Sequence, residues 1–327
     1  KDFLDLMLPY AGSMPLPTRL IPERYHSLNA ISFREYLDRY LYLSPEFLMR
    51  VDYQMLDDYG GTTSQVSALA GIHYYQCRPY EATTGVELFS PPEGNHYFIR
   101  KLASRLPADQ LLTGHLVTQL IPTGQGVEAQ VLDVQAQTRK RVRARQVVYA
   151  GQKHALNYVY PQDATRFSGN EYAPWFVINL VLDRPLTDEA YWQNEVIRPE
   201  TRMLGFVNSH AQQRAPEDPQ VLTIYYCYPP EYRHYLTNLE AESRQLIQSS
   251  LRELAQFFGY PIDAQVREAF VSLMGHAMPI PKPGYLLQDP NAQRADQRVA
   301  YAGVDTGRLP LFFEALDSGI MAARALG

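Results

Sequence analysis

Residues 299–327 contain a strand-like run, a loop of small residues and an amphipathic helix in immediate succession. The strand-like run, residues 299–302, leads into Gly303, which permits a ligand to approach the backbone closely. Pro310 favours the first turn of the helix that follows. This succession favours an α/β arrangement in which free N–H groups at the helix start suit an anionic or acceptor-rich ligand. An ordinary C-terminal strand–helix unit without a ligand has the same pattern, so these residues alone leave both interpretations open.

Helix-type and strand-type patterns alternate in blocks along the rest of the chain. Residues 1–85 are mostly helical in pattern, with Ser32 and Ser44 as N-cap residues. A helical stripe at 96–106 precedes three strand-like runs, 111–123, 127–136 and 140–151. Short turns join these runs, which predicts a β-meander. Longer strand patterns and an amphipathic helix fill the region from residue 171 onward. No internal repeat or linker separates these blocks, so the elements are expected to interleave.

Composition and charge narrow the class of protein. The net charge is −5, and the basic run 139–145 alternates with small or apolar residues as the wet face of a strand does, so no nucleic-acid partner is expected. No apolar run approaches the ~18 residues of a membrane span, and no signal peptide is visible. The compartment therefore stays open between cytoplasm and periplasm. Cys77 and Cys227 lie far apart and predict neither a metal site nor a supported disulfide.

Several common catalytic motifs are absent from the sequence. HExxH, GxSxG, paired CxxC and the P-loop pattern do not occur, which removes the usual zinc-protease, hydrolase and P-loop interpretations. Residues 124–129 match the letters of a dinucleotide fingerprint, but a strand pattern follows where a helix is required. We therefore interpret this stretch as a hairpin turn.

The closing segment resembles the C-terminal flavin-binding motif of the FAD-dependent amine oxidase and phytoene-desaturase-like superfamily. The matching positions are Ala302, Gly303, Asp305, Ala315, Ser318, Gly319, Ala322 and Ala323. The resemblance implies FAD as cofactor, held by the loop of Gly303, Asp305 and Thr306, with Asp305 at the ribityl or pyrophosphate part. It also implies that the backbone of Leu311 and Phe312 faces the flavin ring.

A second stretch, residues 91–151, resembles the central block of the same superfamily. In that block a glycine-led helix precedes a strand, a hairpin and a strand ending in a small residue. The resemblance implies that Gly94 starts the helix and that the backbone of Val117 lies against the adenine or ribose. Other stretches resemble a bacterial subgroup described only as FAD- or NAD(P)-binding oxidoreductases.

These resemblances imply an α/β fold with an α+β substrate region. Residues 1–90 are expected to form a helical part of the substrate domain, and 91–155 a helix and β-meander of a partial FAD-binding domain. Residues 156–285 are expected to form a mixed sheet and helix of the substrate domain, and 286–327 the closing FAD-binding strand, loop and helix.

One departure from the superfamily pattern concerns the nucleotide. The N-terminal GxGxxG segment that holds the pyrophosphate is absent from this sequence. We expect that these residues form the C-terminal part of an FAD-dependent oxidoreductase that transfers a hydride from a small organic substrate to flavin N5. The missing segment then lies upstream or on a second polypeptide, and FAD binding by this chain alone is expected to be poor. The alternative is a non-catalytic binding or assembly module that keeps the fold without FAD.

A second departure concerns the substrate. Leu311 stands where the resemblance places an aromatic wall of an amine cage, and an aliphatic wall lacks a cation–π attraction of ~0.5–2 kcal/mol. An apolar or alcohol-like hydride donor is therefore expected at least as much as an amine. Candidate residues are His276, Lys282 and His73 as catalytic groups, and Tyr74, Trp175 and Tyr225 as pocket walls. Ordinary core packing also explains these histidines and aromatic residues.

Overall fold

A computed structural model of the chain describes residues 2–77, 91, 93–186, 191–211, 219–237, 239–292 and 298–327. Two compact units divide the chain. Unit 1 consists of residues 1–41, 64–170 and 281–327, and unit 2 of residues 42–63 and 171–280. Each unit is therefore assembled from separated segments, as the interleaved sequence pattern predicts. The domain boundary expected after residue 90 adjoins residues 78–90, and these lie outside the described residues.

The strands of the described residues form three sheets. The bounds are β1 His115–Thr123, β2 Gly126–Asp133, β3 Thr138–Ala144, β4 Val147–Tyr149, β5 Tyr172–Leu182, β6 Gln193–Glu195, β7 Met203–Asn208, β8 Gln220–Cys227, β9 Val266–Pro279 and β10 Val299–Tyr301. Unit 1 contains the meander β1-β2-β3 and the pair β10-β4, and unit 2 contains a five-stranded sheet of order β6-β7-β8-β5-β9.

The helices differ widely in length. The bounds are α1 Asp2–Met7, α2 Phe33–Tyr40, α3 Pro45–Tyr59, α4 Ala68–Gln76, α5 His96–Ala103, α6 Leu156–Val159, α7 Pro161–Ala164, α8 Leu239–Phe258 and α9 Phe312–Ala325. Helices α3 and α8 belong to unit 2, and the others to unit 1. In the part of the chain that the structure describes, no helix has the length and apolar character that crossing a bilayer requires.

Predicted N-caps begin the helices of the first block. Ser32 forms a capping box with Glu35 at the start of α2, and the Ser44 hydroxyl accepts from the Phe47 amide at the start of α3. Gly60 ends α3 in the left-handed conformation, with φ of 71°. These local signals are confirmed because each depends on only a few neighbouring residues.

Unit 1 has a core where the meander meets the closing strand. Leu120 and Val127 of the meander share a buried cluster with Val299 and Tyr301 of β10. Strands β4 and β10 run parallel in the register Val147–Val299 to Tyr149–Tyr301, and α9 packs against both. Two segments about 150 residues apart in sequence thus form one structural element, as the superfamily resemblance implies.

Unit 2 is built on one buried sheet face. Side chains such as Phe176, Ile178 and Ile224 point to one face and pack with Leu246 and Leu254 of α8. The opposite face contains the alternate residues, including Trp175 of β5 and Tyr225 of β8. This alternation separates a packing face from a face that can carry function.

Three details differ from the expected pattern. The run 140–151, expected as one strand, divides into β3 and β4 because β3 pairs with the meander and β4 with β10. The sheet of unit 2, expected to be mixed, is antiparallel at every described pairing. Helix α9 begins at Phe312, so Pro310 precedes the helix instead of forming its first turn.

Two helical glycines give a matched test of packing. A Cβ on Gly71 of α4 would lie 2.3 Å from the Phe33 ring, whereas a Cβ on Gly319 of α9 meets nothing within 4 Å. We expect Gly71→Ala to lower the free energy of unfolding by about 1–3 kcal/mol through overpacking. Gly319→Ala should raise it by about 0.5–1 kcal/mol, because alanine favours the helix. Chemical denaturation checks both, and equal effects would contradict the packing described for α4.

Candidate functional site

The carboxyl ends of β4 and β10 lie side by side in unit 1. The two parallel strands end at Tyr149 and Tyr301, and the Ala302 amide donates to the Tyr149 carbonyl just beyond them. In open parallel sheets this edge is where ligands bind, because the following loops and helix starts converge there. The loop 302–307 follows β10 at this edge, and Ser318 of α9 contacts the loop.

The 302–307 loop is held by internal hydrogen bonds. The Gly303 amide donates to Ser318 Oγ of α9 at 2.7 Å, and the Thr306 hydroxyl donates to the Gly303 carbonyl. Asp305 is buried, and its two carboxylate oxygens accept from the backbone amide and the ammonium of Lys153 at 2.6 and 2.9 Å. Contacts within the chain therefore define the shape of the loop.

The start of α9 lies beside the helix of the central block. Leu311 is the N-cap residue and offers no side-chain cap, so the amides of the first turn, beginning at Phe312, lack intrahelical partners. The Phe312 ring packs against Phe98 of α5 with centroids 5.3 Å apart. This contact joins the two stretches that resemble flavin-binding segments.

A charged cluster fixes α9 from its other side. Glu314 is fully buried and accepts from the Thr18 amide, while Arg308 contacts both Glu314 and Asp317 at 3.1 and 2.8 Å. Arg19 binds Asp317 through two nitrogens, at 2.8 and 3.0 Å. Hydrogen bonds from Arg19 first, and also from Arg308, lower the pKa of Asp317.

The other two predicted cofactor residues are Val117, on β1 of the meander, and Gly94, in the turn before α5. The ladder of β1 with β2 is irregular between Val117 and Gln119, and Val117 is partly exposed. Gly94 has φ of +58° in a turn closed to Pro91, two residues before α5 begins. The predicted helix start is therefore slightly early, because Gly94 forms the turn that precedes the helix.

In unit 2, Trp175 and Tyr225 form a stacked pair. Their ring centroids are 5.7 Å apart with an interplanar angle of 13°. Trp175 is opposite Cys227 in the β5–β8 ladder, so the ring pair and the Cys227 thiol share one sheet face. On the same face, Met274 of β9 is opposite Trp175 and is 43% exposed.

A carboxylate from α3 lies behind this ring pair. The Gln193 amide donates to Asp57 at 3.0 Å and to the Tyr225 hydroxyl at 3.4 Å. Burial, and then the charge of Asp57, raise the pKa of the Cys227 thiol to about 12. The same two causes raise the pKa of Tyr225. Both groups are therefore neutral at physiological pH.

The other predicted residues are in different surroundings. His73 and Tyr74 are buried in α4, where His73 Nε2 lies 3.2 Å from the Pro15 carbonyl. Lys282 belongs to unit 1, whereas His276 belongs to unit 2 and packs edge-on against Tyr172. The structure brings Trp175 and Tyr225 together, and catalytic roles for His73, His276 and Lys282 stay predictions.

Sequence patterns did not single out Lys153, Asp57 or Gln193. Lys153 comes four residues after β4 ends at Tyr149, and a lysine after a strand is ordinarily solvated. Asp57 and its neighbour Asp58 stand together on a helix with no pattern that distinguishes them. Each residue gains its role from a partner that is distant in sequence.

Comparison with known proteins identifies the family. The family model for flavin containing amine oxidoreductase matches residues 23–327. This chain therefore belongs to the flavin-containing amine oxidoreductase family, which confirms the flavoprotein class and the FAD cofactor expected from the sequence. A search of curated proteins found no match.

Solved structures confirm the fold. Cyclohexylamine oxidase from Brevibacterium oxydans is 15% identical with a TM-score of 0.61, covering 99% of this chain and 73% of its own. Putrescine oxidase bound to putrescine is 12% identical with a TM-score of 0.65, covering 99% and 73%. An oxidoreductase from Methanosarcina mazei is 15% identical with a TM-score of 0.58, covering 90% and 68%.

The residues at the β4–β10 edge fit a flavin. The first-turn amides of α9 are donors suited to the acceptor-rich edge of a flavin ring, and the Lys153 ammonium offsets the charge of Asp305 in the neighbouring loop. Asp305 faces Lys153, so its direct contact with FAD stays a prediction. The roles of Gly303, Thr306, Leu311 and Phe312 toward the cofactor are also predictions.

Asp317 gives a test of the cluster that fixes α9. Its folded pKa is lowered, so its stabilisation is present above its unfolded pKa of about 4 and is lost as pH falls through the folded value. We expect Asp317→Asn to lower the free energy of unfolding by about 1–3 kcal/mol near neutral pH. The variant should also lose less stability than the unmodified protein as the pH falls.

Asp38→Asn is the control, since Asp38 is half exposed in an i,i+4 pair with Arg34. Denaturant unfolding followed from neutral to acid pH measures both variants. Identical pH profiles for Asp317→Asn and the unmodified protein would contradict the role of this cluster.

Proposed function

We propose that this chain is the catalytic portion of an FAD-dependent oxidoreductase that removes a hydride from a small amine. When bound, FAD accepts the hydride at N5. The observation that carries the choice of substrate is the stacked Trp175–Tyr225 pair backed by Asp57. Family membership supports the flavin chemistry.

The cofactor part of the proposal rests on unit 1. The α9 start supplies backbone amides, and the 302–307 loop adjoins it at the carboxyl edge of β4 and β10. Their common core with the meander supports a single cofactor site built from both resembling stretches. Gly303, Thr306, Leu311 and Phe312 would hold the ring and ribityl region, and the Val117 backbone the adenosine region.

The substrate part rests on unit 2. An ammonium group is attracted to the face of a tryptophan and to a nearby carboxylate. Trp175 supplies the ring, and Asp57 supplies negative charge that Gln193 holds in place. An alcohol carries no positive charge for this ring and carboxylate to attract, so an amine is favoured over an alcohol as hydride donor.

The proposal includes a further segment that carries GxGxxG. Within the described residues, β4 and β10 pair only with each other, and Val148 of β4 is 39% exposed. Parallel sheets are ordinarily larger and covered on both faces. These features support completion of the sheet and of the pyrophosphate site by strands of another segment or polypeptide.

Flavin reduction tests the proposed reaction. The full-length protein, reconstituted with FAD, should show the visible band of oxidised flavin, and small primary amines should bleach the band without oxygen. Matched alcohols should bleach it much more slowly. A colourless protein that cannot be reconstituted would contradict the proposal and favour a non-catalytic module. Equal rates with amines and alcohols would contradict the substrate assignment.

Asp57 gives the sharper test of amine recognition. Asp57→Asn should raise KM for a monoamine about tenfold while kcat is largely kept, because it weakens attraction in ground state and transition state alike. Asp58→Asn removes the same charge from the next helix position and serves as the control. Steady-state kinetics of both variants measure these changes. An equal change in KM for Asp57→Asn and Asp58→Asn would refute a specific role for Asp57.

A further inference from the structure

Lys153 is the most deeply buried cation at the candidate flavin site. Its side chain is fully buried. The ammonium donates to the carbonyls of Gly151 at 2.9 Å and Ala302 at 2.6 Å, and to Asp305 at 2.9 Å. These three bonds use all three ammonium hydrogens. A lysine that is ordinarily solvated is here a fully satisfied internal group.

The position of this ammonium matters for ligands. Gly151 and Ala302 follow the carboxyl ends of β4 and β10, so Lys153 bridges the two strand ends at the ligand edge. Asp305 is the acidic residue of the 302–307 loop, and Lys153 binds both of its carboxylate oxygens. The ion pair leaves this edge without net charge from either residue.

Gly303 makes room for the pair. A Cβ at this residue would lie 3.1 Å from the Asp305 carboxylate and 3.2 Å from Lys153 Nζ, and its φ is +121°. The backbone conformation of Gly303 favours glycine, and a Cβ there would crowd the ion pair. The loop conformation, Gly303 and the Lys153–Asp305 ion pair therefore depend on one another.

We propose that Lys153 is a positioning residue of the flavin site, whose ammonium neutralises Asp305 so that a diphosphate-bearing cofactor can lie against the 302–307 loop. The inference rests on the proposed function, because it requires that the loop faces FAD. Without the ammonium, a bare carboxylate would stand in a loop that must accept an anion. Removal of the ammonium should therefore weaken the binding of cofactors that carry phosphate more than the binding of cofactors that do not.

The test compares flavins that differ in phosphate. Lys153→Met keeps the side-chain volume and removes the charge, and the full-length apoprotein is titrated with FAD and with riboflavin. We expect Lys153→Met to weaken FAD binding at least about tenfold and riboflavin binding less than about threefold, since only FAD carries the diphosphate. Adding Asp305→Asn to Lys153→Met should restore most of the FAD affinity, because it removes the unpaired charge.

Two controls keep the result interpretable. Lys140→Met removes an exposed ammonium that binds Asp133 at 2.7 Å and should change neither affinity. The thermal unfolding midpoint of the apoprotein should fall by about 5 °C or more in Lys153→Met and recover in the double variant, because the ion pair is coupled.

The outcomes separate the two proposals. If Lys153→Met weakens FAD and riboflavin binding equally, or if Asp305→Asn does not restore FAD affinity, the role of Lys153 is overturned. Either result leaves the proposed flavin function intact. An unmodified protein that binds neither flavin would overturn the proposed function itself, and with it the cofactor role of Lys153. A selective loss of FAD with rescue supports the proposal.

Discussion

The parallel pairing of β4 with β10 is the contact on which the candidate flavin site depends. Each strand has three residues, and together they bring the meander and the closing helix into one core. The loop 302–307 follows directly from β10, so its position depends on these strand ends lying side by side. The Phe312–Phe98 contact adds a second link between the two stretches that resemble flavin-binding motifs.

Polar groups near this pairing are satisfied by partners far away in sequence. Lys153 binds Asp305, and Arg19 binds Asp317. A buried charge is costly unless it is paired, so each contact strongly specifies how the separated segments meet. The closing strand, loop and helix are thereby held in place by contacts within the chain. Such preorganisation lowers the entropic cost of binding.

Local signals in the sequence predicted the helices and strands well. They did not predict contacts between residues that are distant in sequence. Capping by Ser32 and Ser44 and the helical stripe of α8 depend on residues a few positions apart, and the structure confirms them. The division between β3 and β4 depends on which strand each one pairs with, which the local pattern does not contain. The burial of Lys153 depends on Asp305 in the same way.

The account rests on the claim that the 302–307 loop, the α9 start and the β1 segment around Val117 hold one flavin. Hydrogen–deuterium exchange of the full-length protein, with and without FAD, tests this claim most directly. We expect FAD to slow exchange of amides at 302–314 and 115–120 together. Protection of only one of these segments, or of neither while FAD is bound, would contradict the claim.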